Sequence, residues 1–121
     1  MIESYILNEL DELGEVPLVL VIPKYLEIEK KINIHIPITD HIDNYNIVDE
    51  DFHDLSQRVL NLLVNKKLSL YEYKKGIKDS KIWEDSFDVV NDHEAKEVLK
   101  QKDKWVGNQK GAHYFLADPS Q

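Results

Sequence analysis

The chain has 121 residues, 42% of them hydrophobic and 31% charged, with no cysteine and a formal net charge of −8. That is enough chain for one folded domain, 1–121, whose core needs no disulfide or structural metal. The lack of cysteine excludes disulfides, thiolate zinc sites, iron–sulfur clusters and cysteine nucleophiles, and agrees with a reducing compartment.

Ile2, Tyr5, Ile6, Leu10 and Leu13 recur at three- and four-residue spacing, with Glu3, Asn8, Glu9, Asp11 and Glu12 between them. This predicts an amphipathic helix that Gly14 stops in the left-handed region. Its acidic opening lacks the basic start of a signal peptide, and the longest apolar run, VPLVLVI, is far too short for a bilayer. The expected location is the cytoplasm.

Residues 17–27 read two ways. Val16, Val19, Val21 and Ile22 favour a strand, whereas Pro17 suits the first position of a helix. In that helix Pro23 would cost about 3 kcal/mol unless the axis bends. Ile32, Ile34, Ile36 and Ile38 then alternate as in a half-buried strand, and Pro37 assigns it to a sheet edge. TDHIDNYN reads as a polar loop.

Asp49–Lys67 is the strongest helix, with the stripe Phe52, Leu55, Val59, Leu62 and Leu63, acids in its first turn and lysines in its last. LSLYEY follows as a strand, with Leu68 and Leu70 opposite Tyr71 and Tyr73. Residues 74–90 form a charged connector or wing. Asp92–Lys104 is a third helix with Ala95, Val98 and Leu99 inward and Trp105 just beyond. AHYFLA closes the domain as a short strand before Pro119.

His93, Glu94 and Glu97 spell H-E-x-x-E, one letter from the zinc-protease motif. A zincin helix needs two imidazoles at i and i+4, and here i+4 is Glu97. Asp92 as helix cap and Glu94 in the first turn account for these residues without a metal. His41 with Asp40 and Asp43, and His53 with Asp49, Asp51 and Asp54, lack the spacing of a calcium loop. Asp49 or Asp51 as a cap is the plainer explanation. No serine sits in a nucleophile motif, and four scattered glycines make no phosphate loop. No catalytic residue, cofactor or metal is expected.

The charge is uneven. Residues 1–60 hold 13 acids and 4 bases, a net of −9, while residues 61–121 hold 10 acids and 11 bases, a net of +1. Lys66, Lys67, Lys74, Lys75, Lys78 and Lys81 surround Tyr71 and Tyr73, a pattern that binds nucleic acid in other settings. Arg58 is the sole arginine, so bidentate guanine reading is absent from that segment.

In order, the chain offers a helix ending near Gly14, then VPLVLVI, then a double-leucine helix, DFHDLSQRVLNLLVNKK, feeding the strand LSLYEY. A connector with IWEDSF, the helix HEAKEVLKQKDKW and the strand AHYFLADPSQ follow. This order resembles small bacterial winged-helix-like proteins encoded beside toxins of bacterial competition systems, whose immunity partners they look like. Residues 28–48 fall outside the resemblance as an insertion.

The resemblance implies an α+β, winged-helix-like domain with three to four helices and a small antiparallel sheet that includes Leu68–Tyr73 and His113–Ala117. The expected core is Ile6, Leu10, Leu13, Leu55, Val59, Leu62, Leu63, Val98, Leu99 and Phe115. It also implies a non-catalytic immunity protein that neutralises a basic toxin, with a nuclease the class that the acidic charge suits. The candidate partner-binding residues are Glu9, Asp11, Glu12, Glu15, Asp40, Asp43, Asp49, Glu50 and Asp51, with Tyr45 as an aromatic anchor. Neither nucleic acid nor membrane is an expected partner. The alternative is a DNA-binding regulator with the long helix in the groove and Lys66–Lys81 as the wing.

Overall fold

The computed structural model describes residues 1–32, 47–74, 86–106 and 113–119. It is an α+β fold. In chain order the elements are α1 (Ile2–Leu13), β1 (Glu15–Pro17), a 3-10 turn (Leu18–Leu20), α2 (Val21–Glu29), α3 (Asp49–Val64), β2 (Ser69–Lys74), β3 (Ser86–Val89), α4 (Asp92–Leu99), α5 (Lys102–Trp105) and β4 (His113–Ala117). The four strands form one antiparallel sheet in the order β1-β4-β2-β3.

Gly14 ends α1 at φ 82°, with its N–H donating to the Leu10 carbonyl, as its position after the apolar stripe predicts. The ambiguous stretch is helical from Leu18 on: Val19 lies in the 3-10 turn and Val21 and Ile22 in α2, against the strand reading, which holds only for Val16. Pro17 closes a short edge strand, and the α-helix starts only at Val21. Pro23 is therefore the third residue of α2, in the first turn, where an N–H would have no helical acceptor. The steric and hydrogen-bond cost of an interior proline does not arise. Val16, Leu18, Val21, Ile22, Tyr25 and Leu26 all enter the core. The isoleucine strand beyond Ile32, and Trp83, lie outside the described residues.

α3 stops earlier than its lysines suggest. Lys66 takes φ 60°, its N–H donates to the Leu63 carbonyl, and the Lys67 N–H reaches back to the Leu62 carbonyl. This pair of bonds is a Schellman stop with lysine where glycine is usual. The third predicted helix breaks in two. The α4 carbonyl of Leu99 accepts from the buried Ser56 hydroxyl at 2.8 Å and from the Trp105 indole N–H at 3.0 Å, so α5 can turn back and bury its tryptophan edge-on against Phe52. The cap of α4 is Asn91, whose side chain accepts from the Glu94 N–H at 2.8 Å. Asp92 lies inside the helix and pairs with Lys66. At α3 the cap position is Val48 without a side-chain bond, so neither Asp49 nor Asp51 caps it.

Three helices meet at Arg58. Its guanidinium holds the Glu3 carboxylate of α1 in a two-bond fork, with Nε to Oε2 at 2.9 Å. It also binds Glu29 at the end of α2 and Asp54 one turn back in α3. Glu29 in turn accepts from the Ile2 N–H at 3.0 Å, capping α1 from another helix, and Asp54 accepts from the Tyr25 hydroxyl at 2.9 Å. The Arg58 bond holds the Glu3 carboxyl below its ordinary 4.5. Burial and the Asp54 acceptor push the Tyr25 phenol up.

Replacing Arg58 with methionine strands carboxylates at a partly buried junction. Chemical denaturation should show a loss of about 2–3 kcal/mol, below the range for a fully buried pair because the site keeps some solvent. A depressed carboxyl contributes stability that is complete above its unfolded value of 4.5 and fades as pH falls below it. Melts taken from roughly pH 5 down to about pH 2 should therefore show wild type and Glu3→Gln converging as acidity increases.

Candidate functional site

The sheet has one covered face and one open face. Along each strand, side chains alternate between them. Val16, Leu70 and Leu116 point inward in mutual register and are fully buried beneath the helices. Their neighbours point outward: Glu15 and Pro17 on β1, Phe115 and Ala117 on β4, Tyr71 and Tyr73 on β2, Phe87 and Val89 on β3.

The outward residues build an aromatic cluster separate from the core. The rings of Tyr73 and Phe87 lie 4.9 Å apart, Phe87 and Phe115 5.8 Å, and Tyr73 and Phe115 6.5 Å. Leu13, at the end of α1, leans over the same face. With Gly14, Glu15, Tyr71, Phe87, Phe115 and Ala117 it lines an open cleft of about 230 Å³. Leu13 is 69% exposed, Phe87 54% and Val89 62%. Leu13 and Phe115, both expected in the core, are thus outer-face residues. The helical spacing of Leu13 is right, but Gly14 releases the chain there before it packs. Phe115 fails by strand parity, because its neighbour Leu116 takes the inward position.

The predicted partner-binding acids fall into separate groups. Glu9, Asp11 and Glu12 lie along the last turns of α1, and Glu15 opens β1 and lines the outer-face cleft. Asp49, Glu50 and Asp51 form the first turn of α3. The length of α3 places them about 24 Å from its other end, where β2 begins. Glu15 lies opposite Ala117, which lies opposite Ser69, the first residue of β2, about 10 Å across two strand spacings. Glu15 is thus on the side of the sheet-bound end of α3, and Asp49, Glu50 and Asp51 are at its other end. Asp51 is also engaged by Lys30 at 3.0 Å, and that bond raises the Lys30 ammonium. Asp40, Asp43 and Tyr45 lie outside the described residues.

Glu72 and Asp88 add a feature that the sequence pattern does not announce. They are directly opposed on β2 and β3, on the inward-facing side of the sheet. Burial, with help from Glu72 and Glu94, pushes the phenol of neighbouring Tyr114 up. Among the described residues neither carboxylate has an ion-pair partner. His93 is exposed on α4, and no group of three metal-ligating side chains converges among the described residues.

Protein-family models, curated proteins and solved structures were all compared with the chain. None matches it. Among the described residues no helix is long and apolar enough to cross a membrane.

The two faces of the sheet differ in how much stability they hold. Leu70→Ala should cost about 3 kcal/mol by denaturant titration, within the range for buried leucines. Leu13→Ala should change stability by less than about 0.5 kcal/mol, as for other exposed positions. Equal losses would mean that the two leucines are equally buried.

Proposed function

We propose that this protein is a non-catalytic immunity or antitoxin-type binder that neutralises a basic bacterial toxin in the cytoplasm, on a winged-helix-like architecture. The supporting order is α3 feeding directly into β2, a short helix ending on Trp105, and a terminal strand at the sheet centre.

The observation that carries the reading is the charge of the two exposed helices. Neither α1 nor α3 contains a lysine, and the one arginine between them, Arg58, is engaged by Glu3, Glu29 and Asp54 at the helix junction. The charged side chains that these helices expose to solvent are all acidic, namely Asp11, Glu12, Asp49, Glu50 and Asp54. A surface of this kind attracts lysine- and arginine-rich clefts and accelerates encounter with them. A nuclease must expose such a cleft to hold a phosphate backbone.

The same observation counts against the DNA-binding alternative. Placed in a groove, α3 would present carboxylates to phosphates, and its apolar stripe is buried in the core. Lys66, the first base of the proposed wing, is already paired with Asp92. Lys75, Lys78 and Lys81 lie outside the described residues.

The decisive test is capture of a basic toxin from the native host on the immobilised protein, followed by a growth assay with the captured toxin expressed alone or together with this chain. Restored growth is expected. A toxin that still kills in the presence of the chain, or retention of duplex DNA in its place, rejects the reading. Amide replacements at Glu9, Asp11, Glu12 and Glu15 together should slow association about tenfold at low salt and flatten its ionic-strength dependence, with dissociation little changed.

A further inference from the structure

The edge of the sheet at β3 has the chemistry to accept another strand. Among the described residues β3 is the outermost strand on its side. The Val90 N–H donates to the Leu70 carbonyl at 2.8 Å. In an antiparallel ladder, hydrogen-bonded and non-bonded pairs alternate. Glu72–Asp88 and Lys74–Ser86 are then the bonded pairs, and Tyr71–Val89 and Tyr73–Phe87 the non-bonded ones. The backbone N–H and C=O groups of Phe87 and Val89 therefore point away from β2, into the open edge. Their side chains are the exposed apolar groups on the outer face of the sheet.

Exposed edges in natural proteins are commonly blunted by shortness, proline, charged side chains with lysine foremost, an inward-pointing charge or a bulge. β3 is four residues long and carries Asp88 on the inward side, which deters a neutral or acidic strand but not a basic one. β3, with the sequence Ser-Phe-Asp-Val, has neither lysine nor proline, and its register with β2 is continuous over four pairs. What it carries is Asp88 directly across from Glu72. Like charges in that position repel, and no described base neutralises them. An incoming strand that carried a lysine or arginine at the adjoining position would relieve this repulsion. A second copy of the chain would bring carboxylates against carboxylates, so charge selects against it.

We infer that the β3 edge binds an extended basic segment of a partner protein by strand addition, with the partner's apolar side chains over Phe87 and Val89 and its lysine or arginine against Glu72 and Asp88. Main-chain bonds would supply affinity, and the alternating side chains specificity. The inference rests on the reading that the partner is a basic protein, and it adds where and in what conformation that partner is held.

The probe is an acetylated, amidated seven-residue peptide that alternates lysine with valine, titrated into the full chain at low salt and followed by amide chemical shifts. Shifts should concentrate on residues 69–74 and 86–90. The peptide should bind at least about tenfold more tightly than its glutamate counterpart, and N-methylation of its edge-facing amides should abolish binding. Val89→Pro removes an outward N–H and leaves the β2 ladder intact, so it should lose about tenfold in affinity. Glu72→Gln with Asp88→Asn should weaken the lysine peptide severalfold and reduce its salt dependence. Equal binding of the two peptides overturns the inference. So do shifts confined to other elements, full binding by Val89→Pro, or self-association through β3 in a sedimentation experiment. The peptide measurements need no toxin. Failure here with toxin neutralisation intact refutes only the strand-addition site, whereas peptide binding without neutralisation refutes only the toxin reading.

Discussion

Arg58 is the point on which the helical layer converges. A single guanidinium reaches a carboxylate on each of α1, α2 and α3, and one of those carboxylates also caps α1. The planar fork explains why arginine occupies this position: lysine could neutralise one acid but could not hold two carboxylates in fixed directions. The junction also shapes the exterior. By engaging the chain's only arginine, it leaves the outer faces of α1 and α3 without a lysine or arginine free to offset their exposed acids. Internal architecture and surface electrostatics thus have a common cause.

The sheet beneath carries the other half of the functional argument. Its inner face is aliphatic and sealed by helices, while its outer face gathers Tyr73, Phe87 and Phe115 into a cluster of its own. Binding surfaces commonly combine buried aromatic anchors with a charged surround. Here the anchors lie on the open face, and Glu15 borders it beside the end of α1. The acids at the start of α3 are too distant to share that border. One partner of ordinary size would have to choose between the two regions or span the length of α3.

Much of the helical layer was legible in the residues. The stripes of α1 and α3 have the correct period, and Gly14 and the leucines before β2 mark real boundaries. Residues 17–27 were opaque because a short apolar run carries no periodicity, and the β-branched residues that favoured a strand are in fact helical from Leu18 on. The break between α4 and α5 was invisible for a different reason: it depends on Ser56, 43 positions away from Leu99, supplying one of the hydrogen bonds to its carbonyl. β3 was hidden in a charged connector because only pairing with β2 reveals it, and with it the opposition of Glu72 and Asp88. The acids of the candidate surface could be named from composition, but the distance of Glu15 from the first turn of α3 follows only from the strand register and the length of α3 together.

Between Val64 and Ser69 the chain has only four residues in which to leave a helix and begin a strand, and one of them, Lys66, holds a left-handed backbone that its side chain disfavours. The length of this turn decides which side of the sheet each residue of β2 faces. One residue more or fewer would move Tyr71 and Tyr73 into the aliphatic interior and push Leu70 into solvent. The identity of the binding face is therefore written in the arithmetic of a turn that never touches it, and this stretch should resist insertions and deletions more strongly than its exposed position would suggest.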